Sequence, residues 1–294
     1  MAYDMMIRKK ALKIQERLGM RIGIAYGTKA MPQPRTKDQV LRVLKELYMI
    51  GMKAYVIPKE FFDGINTPMD IYKGRYADLL KVKEEAKKMN IELTLHHDAL
   101  TDIPDNTIKT FCNLASIMDC RTFIINPHFY KMVPRDQARS LVVYKINEIV
   151  NEMQIRTKIG VETTGRRDEL GSLEDVLDVI ERTTDTEPIV NWGNLHSRGA
   201  GELLSPSDFQ FVINAVKQKI GMGWLRNAFF FFSCSSYGPS GKIRPIPLGK
   251  CDMKLEHLIK EIMSFNMNGT LIFDDPDREK FILNLLDGLG DMVR

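Results

Sequence analysis

Eight short apolar segments alternate with longer segments of helical periodicity, and this alternation limits the possible folds more than any other feature of the chain. Strands that alternate with helices pair in parallel, and eight such units within 294 residues favour a closed (β/α)8 barrel, the TIM barrel. Periodicity alone also fits an open doubly wound sheet. The predicted strands cover residues 21–26, 53–58, 91–97, 122–126, 158–162, 188–191, 228–233 and 270–275.

The first 20 residues precede the predicted barrel and carry most of the excess positive charge of the chain. Five basic and two acidic side chains give this segment a net charge of +3, out of +4 for the whole chain. We predict a basic amphipathic helix over residues 1–20, followed by a single (β/α)8 barrel domain over residues 21–294. The helix either covers one end of the barrel, which we favour, or forms an arm that contacts phosphate groups.

The composition and the hydropathy pattern predict a cytoplasmic protein with no membrane partner. With 44% hydrophobic and 27% charged residues, the chain resembles soluble globular proteins. No apolar run approaches the ~20 residues that span a bilayer, and the N-terminal segment lacks the apolar core of a secretory signal. Four cysteines without a C-x-x-C pair predict reduced, buried thiols rather than a zinc ribbon or a disulfide framework: Cys112, Cys120, Cys234 and Cys251.

Polar residues gather where the predicted strands end, which is the side of a TIM barrel that carries its chemistry. Four of the five histidines fall at this rim, among them the neighbours His96 and His97. Glu162 and Asp274 lie at the ends of the fifth and eighth predicted strands. The sequence therefore predicts a functional pocket at this rim.

The stretch VNWGNLHSRGAG, residues 190–201, spans the end of the sixth predicted strand and has the composition of an active-site edge. It combines a histidine, an arginine and glycines, yet the polar residues nearest the strand are the amides Asn191 and Asn194. A site that handles metal ions or protons more commonly has aspartate and histidine in such positions. The residues alone leave open whether this is a working site or the remnant of one.

Three groups of residues at these strand ends resemble the endonuclease IV family. They are VETTGRRDELGSLEDVL at 161–177, LHHD at 95–98, and FSCSSYG, GKIRPIPL and LIFDDPD between 232 and 277. The resemblance extends over residues from about 21 to 285 and implies a xylose-isomerase-like barrel. Members of that family hydrolyse the phosphodiester bond 5′ to an abasic site in DNA, with three zinc ions held by nine His, Asp and Glu ligands. The resemblance therefore implies a protein related to DNA repair.

Carried over residue by residue, this ligand set is largely replaced in the present chain. Ligand types remain at His97, or at His96 if the register shifts by one residue, at Glu162 and at Asp274. The resemblance therefore implies one divalent ion, zinc or manganese, or none, and a three-zinc cluster is not expected. The other ligand positions carry Asn126, with His128 displaced from it, and Asn191, Asn194, Phe231, Ile243 and Pro245.

The leading hypothesis is a nucleic-acid-binding relative of endonuclease IV whose trinuclear zinc site is degenerate. Its expected partner is DNA, abasic or other, and no protein partner is predicted. Rim arginines would contact phosphates, and the asparagines would contact sugars or bases. The predicted contacts are Asn126, Arg166, Arg167, Asn191, Asn194, His196, Arg198 and Arg244.

Two alternatives stay open. In the first, Glu162 is a catalytic residue of an enzyme with a reduced, one-metal site, which carries out phosphodiester hydrolysis or the sugar isomerisation and epimerisation of related barrels. In the second, the barrel is a non-catalytic scaffold subunit. The segment GKIRPIPLGK, residues 241–250, fits either a DNA-facing loop or a rigid connector.

Overall fold

Eight parallel strands close into a barrel in the computed structural model, which describes residues 5–97, 105–127, 133–153 and 157–293. Neighbouring strands pair in chain order, and the last barrel strand pairs with the first. The predicted TIM barrel is confirmed, and each predicted strand lies within two residues of the observed one. The barrel strands are Met20–Ala25 (β1), Ala54–Ile57 (β2), Glu92–His97 (β3), Thr122–Ile125 (β4), Lys158–Glu162 (β5), Thr186–Asn191 (β6), Ala228–Ser233 (β7) and Gly269–Asp274 (β10).

Helices connect the strands and surround the barrel, and a short antiparallel hairpin follows β7. The hairpin strands are Ser235–Gly238 (β8) and Gly241–Pro245 (β9). Short 3-10 or π-helical turns lie at Lys59–Phe62, Ile71–Arg75, Met222–Arg226 and Leu248–Lys250. The α-helices are Met5–Leu18 (α1), Lys37–Met49 (α2), Pro68–Asp70 (α3), Tyr76–Lys88 (α4), Asp105–Ile117 (α5), Arg135–Met153 (α6), Leu173–Glu181 (α7), Trp192–Arg198 (α8), Pro206–Ile220 (α9), Leu255–Ser264 (α10) and Glu279–Met292 (α11).

Side chains along each strand alternate between the barrel interior and the surrounding helices. One apolar cluster, which includes Val56, Ile124, Ile189, Phe231 and Ile272, fills the interior. A larger cluster packs the outer faces of the strands against the helices. The same alternation turns the last residues of several strands toward the open mouth of the barrel: His96, Glu162, Asn191, Ser233 and Asp274.

The N-terminal helix α1 packs against the barrel at the side where the strands begin. Its buried residues include Ile14 and Gln15. The Gln15 amide nitrogen donates to the Gly51 carbonyl over 2.7 Å, and its oxygen accepts from the Ile22 amide over 2.7 Å. These contacts lie before β2 and early in β1, so they favour the covering role for this helix over an arm.

Two of the four cysteines form a disulfide, so the prediction of four reduced thiols was wrong. Cys234 and Cys251 are bonded with their Cα atoms 5.9 Å apart, because the chain after the hairpin returns to the end of β7. Cys112 and Cys120 are free and buried. Burial raises the pKa of the Cys112 thiol to about 12. No helix among the described residues is long and apolar enough to cross a membrane.

The disulfide is expected to stabilise the protein measurably. It joins residues 17 positions apart, and closing a loop of this length lowers the entropy of the unfolded chain, which corresponds to about 3 kcal/mol. The double variant Cys234→Ala, Cys251→Ala should therefore unfold at a lower urea concentration than the oxidised protein. Reductant should shift the midpoint of the wild type and leave that of the variant in place; equal midpoints for wild type and variant would contradict the expectation.

Candidate functional site

A chain of hydrogen bonds crosses the mouth of the barrel from β3 to β7. His96 Nε2 lies 2.7 Å from one carboxylate oxygen of Glu162, and the other oxygen accepts from the Asn191 amide over 2.7 Å. Ser233 Oγ in turn donates to Asn191 Oδ1 over 2.8 Å. Both oxygens of Glu162 are thus held by hydrogen-bond partners, in a carboxylate that is 3% exposed.

Tyr26 extends this chain on the other side of His96. Its hydroxyl lies 3.1 Å from His96 Nδ1, and the two rings form a T-shaped pair with their centroids 6.1 Å apart. A neutral imidazole that accepts at Nδ1 and donates from Nε2 satisfies both Tyr26 and Glu162. Tyr26 adopts a left-handed backbone conformation with φ of 67°, which is rare for a bulky residue and marks a position held by its surroundings.

Asp274 ends β10 on another side of the same mouth. Two strands, β6 and β7, separate β10 from the strand of Glu162, and two others, β1 and β2, separate it from the strand of His96. Its carboxyl group makes no hydrogen bond to any described residue. Burial raises the pKa of Asp274 and the charge of Glu162 raises it further, whereas Lys242 acts in the opposite direction. Asp274 therefore retains its proton to a higher pH than an aspartic acid in water does.

Lys242 comes from the β8–β9 hairpin, which the sequence analysis left as either a loop or a connector. Its ammonium group donates to Asn194 Oδ1 over 3.0 Å, and the Asn194 amide donates to the Thr163 carbonyl over 2.8 Å. Gly165 permits this approach, since a Cβ there would lie 2.8 Å from Lys242 Cβ. The hairpin thereby brings a positive charge close to Asp274, a role that no motif in the sequence indicated.

Asn191 and Asn194 lie at the start of helix α8, a helix that the sequence analysis did not predict. Asn191 is the N-cap residue of the helix, because its side-chain oxygen accepts from the Asn194 backbone amide over 3.1 Å. Asparagine is among the preferred residues at this position. The capping signal was therefore present in the sequence, in the residues assigned to former metal ligands.

Glycine at position 193 allows α8 to lie directly against the end of β7. A Cβ at Gly193 would lie 2.2 Å from the Ser233 carbonyl oxygen and 2.5 Å from Ser233 Oγ. We expect Gly193→Ala to reduce the free energy of unfolding by about 3 kcal/mol, since a fixed backbone atom must move. The matched control is Gly288→Ala in α11, where the new Cβ would lie 3.8 Å from the Met292 side chain, at ordinary contact distance. Urea unfolding of both variants tests this, and equal stabilities would show that α8 shifts at little cost.

The predicted metal ligand His97 faces away from the mouth. Its ring packs on Phe111 of α5 with the centroids 4.8 Å apart, whereas the neighbouring His96 faces Glu162. Of the two histidines that the resemblance offered, His96 is thus the one that faces the mouth. Asn126 lies just beyond β4, and its buried Oδ1 has no hydrogen-bond partner among the described residues. His128 lies outside the described residues.

The predicted nucleic-acid contacts divide into exposed residues and residues that hold loops together. Arg198 donates to Thr164 Oγ1, to the Arg166 carbonyl and to the Glu169 carbonyl, and burial lowers its pKa. The Arg166 guanidinium pairs with Asp168 over 2.9 Å. Arg244 is exposed, and Arg167 is exposed but also donates from Nε to the Arg198 carbonyl over 2.7 Å.

His196 is also engaged inside the protein. It is 1% exposed, its Nε2 lies 2.9 Å from Asp252 Oδ1, and its Nδ1 accepts from the Leu203 amide over 3.1 Å. Tyr237 donates to the other oxygen of Asp252 over 2.6 Å. This cluster fixes the hairpin to α8 and does not reach the hydrogen-bond chain of the mouth.

The residues of the mouth do not fit a divalent ion as they are arranged. No group of three or more His, Cys, Asp and Glu side chains in the described ranges is placed to hold a metal. Both carboxylate oxygens of Glu162 are already engaged, one by His96 and one by Asn191. The positive charge of the Lys242 ammonium group acts on Asp274 and lowers its pKa. The amide of Asn191 thus occupies a position where the endonuclease IV resemblance would require a ligand, and the positive charge of Lys242 acts on a carboxyl group that the resemblance would assign to a metal ion.

Comparison with known proteins supports the fold and leaves the activity open. No family model matches the chain. An uncharacterized protein of Methanocaldococcus jannaschii, MJ0133, is 19% identical over 263 residues, which cover 87% of this chain and 93% of that protein.

Solved structures of similar fold include both sugar epimerases and an endonuclease. The 3-keto-D-glucoside 4-epimerase of E. coli has a TM-score of 0.61 at 11% identity, covering 92% of this chain and 98% of its own. Endonuclease IV of Thermus thermophilus also has a TM-score of 0.61, at 12% identity and 92% and 99% coverage. A D-tagatose 3-epimerase-like protein has 0.63, at 12% identity and 93% and 98% coverage. The chain therefore has the xylose-isomerase-like barrel fold that the resemblance implied, but endonuclease IV is not singled out.

Proposed function

We propose that this protein is a small-molecule enzyme of the isomerase or epimerase type, which moves a proton on a carbon next to a carbonyl group without a metal ion. The observation that supports it is the placement of Asp274, whose pKa is raised by burial, across the mouth from the Glu162–His96 pair. Epimerisation by a two-base mechanism requires a base on one face of the carbon and an acid on the other. Two carboxyl groups in different environments on separate strands meet that requirement.

The reaction that this geometry supports begins with Glu162 as the base. Its carboxylate takes the proton from the carbon, and the electron pair moves to the carbonyl oxygen, which becomes an enolate oxygen. The Lys242 ammonium is the positive charge that stabilises this oxygen. Protonated Asp274 then donates to the same carbon from the other face, which restores the carbonyl group. The reverse reaction uses the same two carboxyl groups in exchanged roles.

The buried asparagines favour a small substrate over a nucleic acid in the mouth itself. Asn191 and Asn194 are 4% and 6% exposed, and their amides are used inside the protein by Glu162 and Thr163. By contrast, the buried Oδ1 of Asn126 is an acceptor without a partner in the described part of the chain. A hydroxyl group of a polyhydroxylated substrate would satisfy it.

Deuterium incorporation from solvent tests this proposal directly. Chelator-treated protein is incubated in D2O with a panel of ketoses and 3-keto sugars, and exchange is followed by NMR and mass spectrometry. We expect one deuteron at the epimerised carbon, its loss in Glu162→Gln, and its retention in Asp136→Asn, whose side chain is 88% exposed on α6. Absence of exchange with every compound, or exchange that needs added zinc or manganese, would refute the proposal.

Nucleic-acid binding remains a second candidate, and the outer face of the hairpin favours it. Ile243 is 68% exposed next to the exposed Arg244, and Arg167 is exposed nearby in the loop that pairs with Gly241. Arginines beside an exposed apolar residue suit a distorted duplex.

Binding to a duplex with an abasic site tests this second candidate. Arg244→Gln should weaken binding and reduce the dependence of log K on log salt by about 0.9 if the arginine contacts one phosphate. Arg226→Gln, an exposed arginine before β7 at the opposite end of the barrel, is the control. Binding that is absent, or equal in both variants, would leave the hairpin without this role.

A further inference from the structure

A cavity of about 280 Å³ opens beside the proton-transfer residues, on the side of β1, β2 and β3. It reaches His96 at its inner end, so it adjoins the hydrogen-bond chain of the mouth. Its volume lies near the lower end of the range for small-molecule sites. The lining residues are Tyr26, Gln33, Lys59, Glu60, His96 and Arg278.

We infer that the substrate carries an anionic end group, a phosphate or a carboxylate, which Arg278 and Lys59 bind in this cavity. The inference rests on the proposed function, since it names the class of substrate for the same site. Among the described residues that line the cavity, Arg278 and Lys59 carry basic side chains and Glu60 carries the one carboxyl group. The net charge of the lining therefore favours an anion.

Arg278 is held in a position suited to bind such a group. Its Nη1 donates to the Ala25 and Gly27 carbonyls over 3.1 and 3.3 Å, which fixes one edge of the guanidinium against the end of β1. Its Nη2 and Nε have no acceptor among the described residues. A planar guanidinium with a free edge matches the two oxygens of a carboxylate or phosphate.

The backbone of the cavity wall supports a functional role for the same residue. Arg278 and Tyr26 both line the cavity and both have positive φ, 53° and 67°. Such conformations cost free energy in residues other than glycine, and they persist where the surrounding structure imposes them. The Arg278 amide donates to the Asp275 carbonyl over 2.9 Å, and Asp275 accepts from the Leu248 and Asp277 amides, so this turn is firmly held.

Binding measurements separate this inference from the proposed reaction. Calorimetry compares fructose, fructose 6-phosphate, a sugar acid and inorganic phosphate on the wild type and on Arg278→Gln, Lys59→Met and Lys45→Met. Lys59 is exposed, so its variant reports on binding even if the Arg278 variant folds poorly, and Lys45 is exposed on α2 as the control. We expect the wild type to bind the phosphorylated sugar about 10-fold more tightly than the neutral sugar.

In Arg278→Gln and Lys59→Met the ratio of the affinities for the phosphorylated and the neutral sugar should fall toward one, with unchanged affinity for the neutral sugar. The control Lys45→Met should retain the ratio of the wild type. Preference for the sugar acid over the sugar phosphate would assign the site to carboxylates, and the opposite order to phosphates. Equal binding of charged and neutral sugars, or a preference unaffected in both cavity variants, would overturn the inference. Tight binding without deuterium exchange would refute only the proposed reaction, and exchange on neutral sugars without preference would refute only the anion site.

Discussion

The variant Asp274→Asn is expected to lose proton exchange and at the same time to become more stable than the wild type at neutral pH. The amide cannot deliver a proton to carbon, and loss of a general acid commonly reduces the rate by about 10²- to 10⁴-fold. The stability effect has a separate cause. Burial and the charge of Glu162 raise the pKa of Asp274, so its ionised form is unfavourable in the folded protein.

The pH dependence follows from the direction of this shift. A carboxyl group with a raised pKa in the folded state stabilises the protein fully below its unfolded pKa of about 3.8, and this contribution is lost as the pH rises through the folded pKa. Asparagine stays neutral throughout. The advantage of Asp274→Asn in urea unfolding should therefore be largest at about pH 7 to 8 and should shrink toward about pH 4, where the carboxyl group becomes protonated in the unfolded protein as well as in the folded one.

Asp175 provides a control of opposite sign. Burial alone would raise the pKa of Asp175, but Arg135 and the Gly171 and Ser172 groups that bond to it hold the pKa below its usual value. Asp175→Asn should consequently destabilise the protein at neutral pH and lose this effect as the pH falls through the low folded pKa. If Asp274→Asn also destabilised the protein at pH 7, the ionised form of Asp274 would not be unfavourable in the folded protein, and the raised pKa would be contradicted.

The barrel could be predicted because its evidence is local. Each strand is a short run of apolar residues between a helix end and a turn, and chain order alone then sets the pairing of parallel neighbours. It is harder to predict which face of a strand a given residue occupies where two similar residues are adjacent. His96 and His97 could both serve as the histidine of the site. Because successive side chains of a strand point to opposite faces, an error of one residue places the histidine against the helices instead of in the mouth.

The features that were missed depend on distant contacts. The Cys234–Cys251 disulfide and the approach of Lys242 to Asn194 both require the hairpin to fold back across the mouth, which no local pattern indicates. Asn191 was identified as a strand-end residue, but its roles as helix cap and as partner of Glu162 depend on α8 and β5 meeting there. The residue types of the site were therefore accessible from the sequence, whereas their partners were not.

The hydrogen-bond chain of the mouth also explains how two carboxyl groups can lie there although most ligands of a metal cluster are replaced. Without metal ions, Glu162 and Asp274 at the same mouth would repel each other as two negative charges. In the structure His96 and Asn191 hold one of them, and the other retains a proton more readily because its pKa is raised. Lys242 adds one positive charge to the same space. Arg166 and Arg198, which the sequence analysis assigned to phosphate contacts, instead hold the loop after β5.

Lys242→Met is expected to reduce the exchange rate by about 10²- to 10³-fold, the usual effect of removing one group that stabilises an oxyanion. Methionine retains most of the side-chain volume and removes the charge, so a change in packing should contribute little. Lys250→Met, an exposed lysine beyond the hairpin, is the matched control and should retain full activity.

A second variant moves the ammonium group without removing it. In Gly165→Ala the new Cβ would lie 2.8 and 2.9 Å from Lys242 Cβ and Cδ and would displace the side chain. If the role of Lys242 is to stabilise the enolate oxygen, both variants should reduce kcat by similar factors and leave substrate affinity nearly unchanged, because the interaction strengthens only as charge develops on that oxygen. A loss confined to KM in both variants would instead assign Lys242 to substrate binding, and the source of the positive charge in the reaction would have to be sought elsewhere in the mouth.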